Sequence, residues 1–137
     1  MPLKTYHING ISANRQLERE MLDLGRPEDL ERIGVEVGYT VAQQKFGIKD
    51  LVISESPRGL ELYPRDRSAV LRTKLLDLRK VSPEKRQQVQ AQAVNKLATK
   101  VSRELGASAS ARVGFVFVSY FDEAKVVKMD VVEIPKI

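Results

Sequence analysis

The chain has 137 residues, 42% of them apolar and 30% charged, which is enough for one domain over residues 1–137 with its own hydrophobic core. Cysteine is absent, which excludes disulfide bonds and cysteine-ligated metals. No apolar run approaches the roughly 18 residues of a membrane span. The polar first twenty residues do not resemble a signal peptide, so we predict a cytoplasmic protein with no membrane partner.

The first predicted strand covers residues 3–8, because a short apolar run ends there at the turn pair Asn9-Gly10. Ser12 then stands at a helix N-cap position, and apolar residues follow it at helical spacing. Gly25 can end that helix, since glycine readily adopts the backbone conformation found after a helix. The opening of the chain is therefore predicted as a strand followed by a helix.

A second helix is predicted to begin at Pro27, because proline suits the first helical position. Gly34, Gly38 and Ala42 recur in it every four residues and so share one face. Small residues on one face allow another element to pack very close. We predict that this stripe serves an internal crossing, with a subunit interface as the alternative.

The middle of the chain is predicted to hold a hairpin and a short helix. Apolar runs at residues 51–55 and 60–63 flank Pro57-Arg58-Gly59, which is typical of a tight turn. After Ser68, three leucines recur at helical spacing and predict a helix with one apolar face. They are Leu71, Leu75 and Leu78.

The last third is predicted as one long helix and two strands. Ser82-Pro83-Glu84 is a helix start, and the helix should continue to Leu105. Residues 112–121 are almost all β-branched or aromatic, which predicts a strand covered on both faces. Residues 127–131 alternate between apolar and polar, as in a strand with one solvated face.

This order of elements predicts an α+β fold. We expect a roughly five-stranded, mainly antiparallel sheet, formed by a βαββαβ ferredoxin-like core plus a C-terminal strand. Helices are expected to cover one face of that sheet.

Positive charge is concentrated in one part of the chain. The whole chain carries 23 bases and 18 acids, but residues 65–103 hold eleven bases and three acids, a local net charge of +8. Charge segregated in this way attracts anions, and a nucleic-acid phosphate backbone is its natural complement. If two neighbouring helices present these bases on one side, they form a continuous basic patch.

We therefore predict a non-catalytic module that binds or associates with nucleic acid through a basic helical patch. No catalytic residue, metal or cofactor is assigned. The predicted binding residues are Arg72, Lys74, Arg79, Lys85, Arg86, Lys96, Lys100 and Arg103.

Two other classes of function remain open. The chain could be an assembly subunit whose basic segment docks on an acidic protein surface or on its own acidic residues 13–36, with a homo-oligomer as one outcome. It could also be a metal-dependent nuclease using Asp50, Glu55 and Glu61, although their spacing does not match the usual carboxylate-and-lysine pattern.

Two further features have both a structural and a functional interpretation. His7 is the sole histidine, and a hydrogen-bonded or outward-facing polar residue is a more common explanation for it than general-base catalysis. Phe115 and Phe117 could stack on bases, but a buried strand needs aromatic residues in any case.

Overall fold

The computed structural model describes residues 3–9, 27–123 and 127–136. The predicted helix between Ser12 and Gly25 lies outside these residues. Neither of the two described helices is apolar over enough of its length to cross a membrane. In chain order, the elements are β1 (Lys4–Asn9), α1 (Pro27–Phe46), β2 (Leu51–Ser56), β3 (Gly59–Pro64), β4 (Ala69–Asp77), a 3₁₀ turn (Leu78–Lys80), α2 (Pro83–Ala107), β5 (Val113–Phe121) and β6 (Lys128–Pro135).

The main sheet of the described residues has four strands in the order β1-β6-β5-β4. β4 and β5 are parallel, and α2 is the crossover that joins them. β6 is antiparallel to both of its neighbours, β5 and β1. The predicted hairpin exists as β2 and β3, but it forms a separate two-stranded sheet next to β4. The α+β class is confirmed, whereas the predicted five-stranded ferredoxin-like sheet is not.

The two helices pack on opposite faces of the main sheet, so the prediction that helices cover one face is wrong. Phe115 and Phe117 of β5 belong to the apolar cluster that contains the α1 residues. Val116 and Val118 of the same strand pack with Val101 of α2 and its neighbours. A strand that is apolar on both faces requires an apolar layer on each side, and one helix on each face supplies both layers.

Residues 69–77, predicted as a helix from the spacing of their leucines, form strand β4. Leu71 and Leu75 both have odd numbers, so they share one face of a strand as readily as one face of a helix. Each residue of β4 has a partner on β5, from Ala69 opposite Val113 to the end of the strand. This pairing outweighs the local helical spacing, and it places Arg72 and Lys74 on a strand rather than on a helix.

The small-residue stripe of α1 packs inside the molecule, as predicted. A Cβ atom built on Gly38 would lie 2.5 Å from the Cγ2 atom of Thr73, and one on Gly34 would lie 3.2 Å from the backbone nitrogen of Leu75. Both contacts are with β4, so α1 crosses this strand at very short range. Ala42, the third member of the stripe, is fully buried.

The tight crossing gives a stability prediction. Gly38→Val should lower the free energy of unfolding by about 1–3 kcal/mol, because its side chain would overlap Thr73. Gly106→Ala is the control, since no atom lies within 4 Å of its added Cβ and alanine favours the helix by about 0.5–1 kcal/mol. Urea denaturation of both variants measures the difference, and a Gly38→Val protein as stable as the original would contradict the crossing.

Candidate functional site

Four of the predicted binding residues lie on one side of α2. Lys85, Lys96, Lys100 and Arg103 are exposed, and at about 100° per residue they fall within a sector of about 60°. The buried residues Val101 and Leu105 lie on the opposite side of the helix, against the sheet. The apolar positions of α2 therefore fix the direction of these four cations, which is away from the core.

These four side chains make no ion pair with any part of the chain that the structure describes. From Lys85 to Arg103 the stripe is about 27 Å long, at about 1.5 Å of helix rise per residue. The two acids of α2 lie elsewhere on it, and Glu104 is already paired with an arginine. Among the described residues, nothing pairs with this row of positive charges on the outer side of α2.

Lys74 extends this row onto the sheet. It is exposed on β4, on the same face as Val70 and Leu76, which pack under α2. The Arg72–Glu104 contact sets the register between β4 and α2. Since α2 runs antiparallel to β4, Lys74 lies alongside the helical turn that carries Lys100. We call Lys74, Lys85, Lys96, Lys100 and Arg103 the basic surface.

The other three predicted residues are arginines engaged within the chain. Arg72 donates from Nη2 to Glu104 at 2.6 Å and from Nη1 to the Leu71 carbonyl at 3.1 Å. The contact ties strand β4 to the C-terminal part of α2. Arg72 therefore serves the packing of the helix on the sheet, and its charge is compensated.

Arg79 is neutralised by Asp77, two residues before it. Its Nε and Nη2 atoms each donate to the Asp77 carboxylate at 3.0 Å, and the guanidinium stacks over Phe121 at 5.0 Å. These hydrogen bonds from Arg79 hold the pKa of Asp77 below its ordinary value. The pair fixes the turn that leads from β4 into α2.

Arg86 is held by three hydrogen bonds near the start of α2. It donates from Nη1 and Nη2 to the two carboxylate oxygens of Glu123 at 2.7 and 2.5 Å, and from Nε to the Val81 carbonyl at 2.9 Å. Its side chain is only 17% exposed. The bidentate contact with Arg86 lowers the pKa of Glu123 to about 2. Arg86 thus joins α2 to the end of β5.

The remaining candidates also have defined surroundings. Phe115 and Phe117 are buried and pack against Phe46, so neither ring is available to stack on a base. Asp50 pairs with Arg65 at 3.3 Å. In the part of the chain that the structure describes, no three acidic or histidine side chains are grouped as metal ligands.

Sequence reasoning singled out His7 but missed the residues that surround it. His7 contacts Asp130 at 2.7 Å between Nδ1 and Oδ1, and the Tyr120 side chain lies near the same carboxylate. The three residues come from adjacent strands β1, β6 and β5. Strand alternation puts His7 on one face, but only the pairing of β1 with β6 places Asp130 opposite it.

Comparison with protein-family models, curated proteins and solved structures found no match.

The Arg86–Glu123 pair predicts a pH dependence of stability. The folded chain holds the pKa of Glu123 at about 2, against an ordinary value of 4.5. The ionised carboxylate therefore stabilises the fold above about pH 4.5, and that contribution is lost as the pH falls toward 2. Glu123→Gln should have a lower Tm than the original protein at pH 6, and the two values should converge near pH 2. A difference that is independent of pH would contradict this role.

Proposed function

We propose that the chain is a module that binds the phosphate backbone of nucleic acid through the basic surface. The supporting observation is that five of the eight predicted bases are exposed, unpaired within the described residues and directed outward from α2 and β4. A stripe of about 27 Å spans roughly eight base-pair steps of a duplex, at about 3.4 Å of axial rise each.

The binding mechanism is electrostatic. Four of the five residues are lysines, which act as mobile point charges and do not impose a planar hydrogen-bonding geometry on a partner. Contacts of this kind position a phosphate backbone without reading the bases. We therefore expect little sequence preference and an affinity that falls steeply as the salt concentration rises.

Charge reversal tests the basic surface. The triple variant Lys96→Glu, Lys100→Glu, Arg103→Glu should abolish binding to a labelled duplex, because it replaces three phosphate contacts by repulsion. Its Tm should be nearly unchanged, since all three side chains are exposed. Fluorescence anisotropy at several salt concentrations gives the affinity.

The matched control reverses the same amount of charge elsewhere. Lys45, Lys49 and Arg58 are exposed, lie on α1 or near the β2–β3 hairpin, and make no ion pair with the described residues. Changing these three to glutamate should reduce affinity much less than the triple variant on α2. Equal losses in the two proteins would mean that net charge, and not this surface, governs binding.

A second pair of variants separates free cations from paired ones on a single strand. Lys74→Gln should lower the affinity and reduce the slope of log K against log salt by about 0.9, with stability unchanged. Arg72→Gln should lower the free energy of unfolding by about 1 kcal/mol, because Glu104 loses its partner. It should leave affinity almost unaltered. An affinity loss with Arg72→Gln as large as that with Lys74→Gln would contradict the assignment of Lys74 as a free cation and Arg72 as a structural one.

Self-assembly is the second candidate function, and an acidic groove favours it. A groove of about 830 Å³ between α1 and the hairpin is lined by Glu31, Glu36 and Glu55, and the one base among its described lining residues is Arg32, which pairs with Glu36. Docking of the basic surface of one copy on this groove of another would join two different surfaces and so form closed rings or open chains. Light scattering after size exclusion at low and high salt tests this: salt-sensitive oligomers without absorbance at 260 nm would favour assembly over nucleic-acid binding.

A further inference from the structure

The sheet face under α2 changes from apolar to polar along β6. Val132 and Ile134 are buried beneath the C-terminal half of the helix. Earlier on the same face, Lys128 is exposed and Asp130 is only partly buried. An open cleft of about 380 Å³ lies between this region and the N-terminal part of α2, and Gln87, Gln90, Tyr120, Lys128 and Arg86 help to line it.

Beside this cleft, His7 is oriented as a proton acceptor. An ionised carboxylate can only accept hydrogen bonds, so the 2.7 Å contact requires that Nδ1 of His7 donates to Oδ1 of Asp130. In the neutral ring, the Nε2 atom then carries the free lone pair. The His7 side chain is 71% exposed, so a substrate can reach this atom. A neutral imidazole of this kind is the most common general base in enzymes.

Asp130 itself lies in a largely enclosed position on the sheet. Its side chain is only 15% exposed, and Tyr120 of β5 lies beside it on the same face. Burial and the charge of Asp130 raise the pKa of Tyr120, so the phenol stays protonated beside the carboxylate. Asp130 therefore orients His7 from a restricted position on the neighbouring strand.

The basic surface leads toward this site. Lys85 is at its N-terminal end and adjoins Arg86, which lines the cleft. On the floor of the cleft, Lys128 lies opposite Tyr120 in the strand register and two residues before Asp130 on the same face. A polyanion that follows α2 past Lys85 thus reaches a second cation and a free imidazole nitrogen.

We propose that this site cleaves RNA, with His7 as the general base and Lys128 as the cation beside the scissile phosphate. RNA is the substrate class that fits because it carries its own nucleophile, the 2′-hydroxyl, so the site needs only a proton acceptor and a cation. This inference rests on the proposed nucleic-acid binding and adds a reaction to it.

The step balances as an internal transesterification. Nε2 of His7 takes the proton of the 2′-hydroxyl, and the 2′-oxygen forms a bond to the adjacent phosphorus. The bond from phosphorus to the 5′-oxygen breaks, and that oxygen takes a proton from the Lys128 ammonium. The products are a 2′,3′-cyclic phosphate and a 5′-hydroxyl, and the imidazolium returns its proton to the Lys128 amine through water.

The test uses the full chain with a labelled single-stranded RNA and the DNA of the same sequence, in the presence of EDTA. We expect both to bind, but only the RNA to be cut, leaving cyclic phosphate ends that a gel and mass spectrometry identify. His7→Gln should reduce the cleavage rate by about 100-fold or more while binding and Tm stay unchanged. Lys4→Gln, an exposed change on the opposite face of β1, is the control and should cut normally.

The positioning role of Asp130 has its own readout. In Asp130→Asn, kcat should fall with KM unchanged, and nitrogen NMR of the single histidine should show that the proton no longer resides mainly on Nδ1. A purely structural role would not move the tautomer of the ring.

The outcomes separate the two proposals. If both nucleic acids bind and the RNA stays intact, or if cleavage survives His7→Gln, the catalytic inference is overturned and the binding module stands. If neither nucleic acid binds and no RNA is cut, both proposals fail. If DNA is cut as fast as RNA, the 2′-hydroxyl is not the nucleophile, and the inference is likewise overturned.

Discussion

The parallel pairing of β4 with β5 is the constraint on which the rest of the structure depends. Parallel strands cannot be joined by a tight turn, so the chain must cross over between them, and α2 is that crossover. Gly114 of β5 lets the helix approach closely, because a Cβ atom there would clash with Val101. With Val101 and Leu105 held against the sheet, the opposite side of α2 must face outward, and that side carries the lysines.

The type of basic residue separates structural from free charge. In the predicted set, Arg72, Arg79 and Arg86 each make at least one short carboxylate contact and help to hold α2 against the sheet or to fix its ends. The four lysines of that set make no ion pair with the described residues, and Arg103 is the one arginine of the set that makes none either. The planar guanidinium can form two hydrogen bonds to one carboxylate, whereas the lysine ammonium is strongly hydrated and stays in water at lower cost.

The extent to which α2 covers the sheet determines the position of both the basic surface and the His7–Asp130 pair. Over β4 and β5 the helix hides the apolar face and turns its own cations outward. Toward β1 the same face is open, and its residues are polar, so His7 and Asp130 form a hydrogen-bonded pair beside Tyr120 at its surface. The row of cations on the outer side of α2 and the exposed imidazole beside the helix are thus two consequences of one crossover.

Much of the local structure could be predicted from the sequence. Caps and breakers marked the two described helices, continuous apolar residues marked β5, and the Pro57 to Gly59 turn marked the hairpin. The stripe of Gly34 and Gly38 predicted a close internal crossing, because glycine has no side chain and its regular spacing can be read directly from the sequence. The concentration of bases in residues 65–103 was also evident, since the positions of charged residues are read directly from the sequence.

What the tertiary structure decided was the pairing of residues distant in the chain. Leu71 and Leu75 satisfy helical and strand spacing alike, and only the partners that β5 supplies make their segment a strand. Arg86 finds Glu123, and His7 finds Asp130, through the packing of elements that lie far apart in sequence. Short-range patterns report which face of an element is apolar, but hydrogen bonding across the sheet determines which polar groups meet and therefore which charges remain free.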